Sequence, residues 1–136
     1  MKLTLLILLL GAAAVAAIRA LIELKRGRAP LGRAPLGQLV SQRVRFAGMN
    51  RGFLIYVPSG YRPDRPLPLL LAFHGGGGSA LRMAAQTRMH DLAREDEFIA
   101  VYPEGTGFGR RRGGTWNAGG NPPQGWAERH RIDDAG

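Results

Sequence analysis

The apolar run Leu69-Leu70-Leu71-Ala72-Phe73 drops directly into His74-Gly75-Gly76-Gly77-Gly78-Ser79-Ala80, and this junction constrains the fold more than any other stretch. Leu67 to Phe73 is almost continuously apolar, as a strand buried on both faces of a parallel sheet requires, and Pro68 stands only at its entry. Beyond the glycines, Leu81, Ala84, Ala85, Met89, Leu92 and Ala93 recur at helical spacing, with Ser79 placed as the N-cap. A second apolar run, Phe98-Ile99-Ala100-Val101-Tyr102, completes a βαβ unit. Glycines without Cβ atoms let successive amides share one concavity, and the positive end of the following helix adds to their field. The turn is therefore expected to hold negative charge.

Three chemistries use a strand, a glycine turn and a helix. A phosphate-gripping P-loop needs a lysine after the glycines, and none follows here. The dinucleotide fingerprint G-x-G-x-x-A is formally met by Gly75, Gly77 and Ala80, with Glu104 where a ribose-binding acid would stand. Against that reading are His74 at the strand tip, the fourth glycine, and two strand-like segments ahead of the turn. The third chemistry is the HGGG-type oxyanion loop of α/β-hydrolases, which His74-Gly75-Gly76-Gly77 matches letter for letter. Glycine runs also serve as plain connectors, but the strand before this one and the helix after it argue for a built turn.

From about Arg51 to the last residue the chain resembles the esterase family that contains polyhydroxybutyrate depolymerases and feruloyl or acetylxylan esterases. The resemblance is carried by Phe53-Leu54-Ile55-Tyr56-Val57-Pro58-Ser59-Gly60-Tyr61, Pro66-Leu67-Pro68-Leu69 and His74 to Ser79. It continues through Tyr102-Pro103-Glu104-Gly105-Thr106, Thr115-Trp116-Asn117-Ala118-Gly119 and Asp133-Asp134. It implies an α/β fold with antiparallel strands ahead of the βαβ unit, and an exported serine hydrolase of carboxylic esters. The substrate would be a polyhydroxyalkanoate, or a feruloyl- or acetyl-polysaccharide. It further implies an oxyanion hole of Gly75, Gly76 and Gly77, a loop-positioning role for His74, and a place beside the cleft for Trp116 and Asn117. The other reading of Trp116 is an anchor of its loop on the core, and Asn117 is expected to orient that loop through its side chain.

The same family places its nucleophile on a G-x-S-x-G elbow, followed by an acid and then a histidine. No such elbow occurs among Ser41, Ser59 and Ser79, and Gly77-Gly78-Ser79-Ala80-Leu81 fails at its final glycine. The nucleophile, acid and base are thus expected beyond Gly136, where Asp133-Asp134-Ala135-Gly136 forms the junction at which the family runs on. Roughly 100 residues remain after the leader, against well over 200 for such a sheet with its helices, so the α/β-hydrolase domain is read as incomplete. A non-catalytic surface protein remains the third reading.

Residues 1–28 read as a signal peptide, with Lys2, an apolar stretch from Leu3 to Ile18 and the small residues Val15-Ala16-Ala17. Arg19, Lys25, Arg26 and Arg28 oppose translocation and favour an uncleaved anchor instead, the one route to a membrane. Residues 29–42 carry the repeat Ala-Pro-Leu-Gly and read as a linker, leaving 43–136 as the partial domain. The net charge of +9 falls to +5 without residues 1–28, and Arg110-Arg111-Arg112 lacks interleaved aromatics, so nucleic acid is not an expected partner. The glycine-rich stretch from Gly107 to Gly125 reads as functional or disordered. His90 falls in the helix, and His130 reads as a polar loop residue. Asp133 and Asp134 receive no role, no spacing suggests a metal, and no cofactor is implied.

Overall fold

The computed structural model describes residues 35–46, 48–107 and 113–134. Its centre is a four-stranded mixed sheet of β1 (Leu39–Phe46), β2 (Met49–Tyr56), β3 (Leu69–Leu71) and β4 (Ile99–Pro103), in the order β1-β2-β4-β3. β1 and β2 form an antiparallel hairpin from Leu39↔Tyr56 to Phe46↔Met49, with Gly48 at φ +77° in the two-residue connection. Such a tight reversal favours a residue that adopts positive φ without strain. β2 runs antiparallel to β4, and β4 runs parallel to β3, so the fold is α/β with antiparallel strands preceding the βαβ unit.

Among the described residues, three helices follow the sheet's logic: α1 (Ala80–Thr87), α2 (Met89–Glu95) and the single turn α3 (Trp126–Arg129). Tyr56, Ala100 and Tyr102 present one face of the sheet to Ala80, Ala84 and Ala93. Alanines there let α1 and α2 approach the strands closely. Phe53, Ile55, Val57, Ile99 and Val101 make the opposite core, flanked by Val40, Val44, Tyr61 and Leu67.

The structure changes three sequence expectations. β1 begins at Leu39, inside the stretch 29–42 read as linker, and the Gly37 N–H already donates to Val57 O at 2.7 Å. Pairing with β2 outweighs the local Pro and Gly content, and Val40, Gln42 and Val44 alternate with exposed Ser41, Arg43 and Arg45 as a half-buried strand should. Leu67 to Phe73 supplies only a three-residue strand, and Leu69 is 37% exposed because β3 lies at the sheet edge among the described residues. The strand buried on both faces is β4, every residue of which is buried. The helical pattern from Leu81 to Ala93 is two helices, broken at Arg88 with φ 49°, where the Arg88 N–H closes α1 onto Ala84 O. The leader 1–28 and Arg110-Arg111-Arg112 lie outside the described residues. No helix among the described residues is long and apolar enough to cross a membrane.

The tail of the glycine-rich stretch is ordered by one acid. Glu128 at the start of α3 accepts N–H bonds from Gly125, Gln124 and Gly120 at 3.1, 2.6 and 3.0 Å. These backbone donors, Gly125 first, hold its carboxyl below the usual range.

Candidate functional site

Three residues beyond the end of β3 stands His74, which is 4% exposed. Its Nδ1 lies 2.8 Å from Gly75 O, and its Nε2 accepts the Gly105 N–H at 3.0 Å. A carbonyl on one side and an N–H on the other fix a neutral ring with its proton on Nδ1. Glu104 Oε1 stands 3.5 Å from Nε2 and competes for it. Burial lowers the affinity of His74 for a second proton, but the Glu104 carboxylate and the Gly75 carbonyl outweigh burial and hold its pKa above the ordinary 6.5.

The glycines then close a tight turn, with the Gly78 N–H donating to Gly75 O at 3.0 Å. Two further bonds stitch it to the neighbouring loop: the Gly77 N–H donates to Gly114 O at 2.9 Å, and the Gly114 N–H to Gly78 O at 2.8 Å. The two backbones approach so closely that a Cβ on Gly113 would strike the Gly77 carbonyl, and one on Gly114 would sit 2.6 Å from Gly105 O. A Cβ on Gly75 or Gly76 would meet nothing within 4 Å. The N–H groups of Gly75 and Gly76 donate to no described residue. Both residues line a cleft of about 190 Å³, walled by His74 and by Arg82, Met83 and Gln86 of α1.

Two of the three expected oxyanion donors are therefore free and one is not. Gly77, at φ +75°, has its N–H committed to Gly114. The positive end of α1 is also occupied, because Ser79 Oγ accepts the Arg82 N–H at 3.2 Å and Glu104 Oε2 accepts the Ala80 N–H at 3.1 Å. The anion answering that helix terminus is the protein's own carboxylate, supplied from beyond β4. This geometry opposes the dinucleotide reading. Glu104, the candidate ribose acid, sits where a pyrophosphate would have to bind, and two anions cannot share one helix terminus without strong repulsion. Ser79 is a helix cap, and no described histidine hydrogen-bonds to a serine.

Trp116 and Asn117 line neither this cleft nor the cavity of about 530 Å³ beside Glu104, Arg43 and Leu81. The Trp116 ring instead packs edge-on against Phe73 at 5.3 Å and tilted over His74 at 5.0 Å, and its Nε1 donates to His74 O at 2.8 Å. It holds the turn from behind. Asn117 is held in turn: its N–H donates to Asp134 Oδ2 at 2.6 Å and its Nδ2 to Ile132 O at 2.8 Å.

Arg51 and Asp134, which the sequence did not single out as a pair, form the base of this arrangement. Arg51 Nη1 reaches Asp134 Oδ1 at 2.9 Å and Thr106 Oγ1 at 2.6 Å, and Nη2 reaches Asp133 O at 2.7 Å. A charged residue at an inward position of β2 was the available signal, since a buried arginine demands an acid. The partner's identity was not readable from the sequence. His90 lies on α2, and exposed His130 stacks on Trp126 at 4.0 Å.

No protein-family model and no curated protein matches the sequence. Among solved structures the chain is similar to a mutant of the esterase rPPE complexed with (S)-Ac-CPA, at 22% identity and a TM-score of 0.39, over 61% of this chain and 26% of that one. It is also similar to a thermostable esterase, at 19% identity and a TM-score of 0.34, over 48% of this chain and 20% of that one. The chain thus spans about a quarter of the first protein and a fifth of the second.

Proposed function

We propose that this chain forms the oxyanion-binding part of an exported carboxylic ester hydrolase, whose nucleophile, acid and base histidine are supplied by sequence outside these 136 residues. The observation that carries the reading is the pair of unpaired N–H groups on adjacent Gly75 and Gly76, in a cleft with no acidic wall, on a turn locked by His74. In acyl transfer the carbonyl oxygen of the ester gains a full negative charge in the tetrahedral intermediate. Donors already fixed toward that oxygen stabilise it without reorganising. His74 serves the turn and not the proton transfer, since both of its ring nitrogens are engaged with main chain.

The ester would be of the polyhydroxyalkanoate or acylated-polysaccharide type, as the resemblance to that esterase family implies. An uncleaved leader would hold the protein at the membrane. Titration of the ¹⁵N-labelled chain with butylphosphonate, an anion shaped like the tetrahedral intermediate, tests the reading. The Gly75 and Gly76 amides should shift and the Gly77 amide should not. Unmoved Gly75 and Gly76 resonances, or a response of Gly75 to Ala80 to NAD alone, would overturn it.

A further inference from the structure

The His74–Gly75 and Gly75–Gly76 peptide bonds are trans, so in each planar unit the carbonyl and the N–H point in opposite directions. A hydrogen bond received by the carbonyl therefore sets where the N–H on the far side aims. Gly75 O is held by His74 Nδ1 at 2.8 Å and by the Gly78 N–H at 3.0 Å, which fixes the Gly76 N–H. His74 O is held by the Trp116 indole at 2.8 Å, which fixes the Gly75 N–H.

We infer that Trp116 is a positioning residue whose indole N–H sets the direction of the Gly75 donor, and that Asp134 keeps Trp116 in place through the Asn117 main chain. The inference rests on the oxyanion reading of the turn. A wall residue would need only its ring to face the ligand. Here the indole nitrogen, wedged with its ring between Phe73 and His74, spends its one proton on the carbonyl whose partner N–H is free. Donation to a carbonyl also polarises the amide, so the Gly75 N–H becomes a stronger donor as well as a directed one.

The position of the indole depends on the segment that bears it. On one side Thr115 exchanges two backbone bonds with Thr106, at 2.8 and 3.0 Å. On the other, Asn117 is bound to Asp134, which is anchored to Arg51 where both side chains are shielded from water, 3% and 2% exposed. A continuous run of bonds thus leads from the Arg51 guanidinium to the Gly75 amide.

Trp116→Phe keeps an aromatic ring and deletes the N–H. Residual dipolar couplings, which read bond direction, should change for the Gly75 N–H in this variant and stay unchanged for Gly76, whose orientation His74 still sets. Butylphosphonate affinity should fall roughly three- to tenfold, the range of one lost hydrogen bond. Asp134→Asn should give the same Gly75-selective change at smaller amplitude. An unchanged Gly75 coupling in Trp116→Phe would overturn the inference, and so would Gly75, Gly76 and core amides such as Val101 moving together, which marks general loosening. Failure of the wild-type chain to bind phosphonate would instead sink the oxyanion reading, while the ligand-free couplings still decide the role of Trp116.

Discussion

Arg51 and Asp134 lie 83 residues apart in the sequence and meet at 2.9 Å with their side chains almost wholly out of water. Arg51 also bonds Thr106 Oγ1 and Asp133 O, although its Nε has no partner among the described residues. The pair ties the segment after α3 to β2, and with it the loop that backs the glycine turn.

Removing one partner of such a pair strands the other charge in a medium that cannot solvate it. Asp134→Ala should therefore destabilise the protein by about 3–5 kcal/mol. Asp134→Asn keeps an oxygen for the Asn117 N–H and should cost less. Urea denaturation of both variants measures the difference, and equal losses would show that the acceptor oxygen contributes nothing beyond the charge.

Tyr102 supplies a cap that α2 lacks. Arg88 at its N-cap position makes no side-chain capping bond, and Tyr102 Oη, from the fully buried strand β4, accepts the His90 N–H at 2.9 Å. Tyr102→Phe should cost about 1–2 kcal/mol and loosen α2 first, as hydrogen exchange of His90 to Leu92 would show. Unchanged exchange there would refute the capping role.

Protonation of His74 is coupled to Glu104. Because the folded state raises this pKa, His74 contributes stability that is fully present below the ordinary value of 6.5 and is lost as pH rises through the folded value. In a Trp126→Phe background, which removes the indole stacked on His130, Trp116 emission should be quenched as the adjacent His74 ring gains its proton. The midpoint should lie above 6.5, and Glu104→Gln should lower it. A midpoint unmoved by Glu104→Gln would refute the coupling.

The 136-residue chain should hydrolyse p-nitrophenyl acetate no faster than background, because Ser79 Oγ caps α1 and has no base beside it. Ser79→Ala should lower stability by about 1 kcal/mol without changing turnover. Hydrolysis that vanishes in Ser79→Ala would make Ser79 the nucleophile.

In a longer reading frame that adds a G-x-S-x-G elbow, an aspartate and a histidine, Gly76→Pro should lower kcat by roughly 100-fold or more, since it deletes one free donor. Gly76→Ala keeps the N–H in open space and should lower it far less. Equal kcat in the two variants would remove the oxyanion role of Gly76.

The βαβ unit was legible because apolar runs and helical spacing are local signals, and Ser79 was legible as a cap for the same reason. The sheet order was not. Apolarity alone could not show that Phe98 to Tyr102 would occupy the interior while Leu67 to Phe73 took an edge among the described residues, since that depends on which strands lie alongside. The glycine turn announced free amides, but the count was decided by Gly114, 37 residues beyond Gly77, and by Glu104 reaching back to Ala80. Asp134 carried no signal of its own, because its role exists only where Arg51 and Asn117 come together.

The glycines around the turn divide into two kinds with opposite consequences for sequence drift. At Gly113 and Gly114 the missing side chain leaves room for another backbone, so a substitution there is a folding lesion and would be lost from any population selected merely for soluble protein. At Gly75 and Gly76 the space is empty, and alanine would pass the same selection. A library of the longer reading frame, screened first for solubility and then for ester turnover, should therefore retain diversity at 75 and 76 in the first round and lose proline and the bulkier side chains there only in the second. Selection that acts on these two positions alone would report on chemistry, uncontaminated by folding.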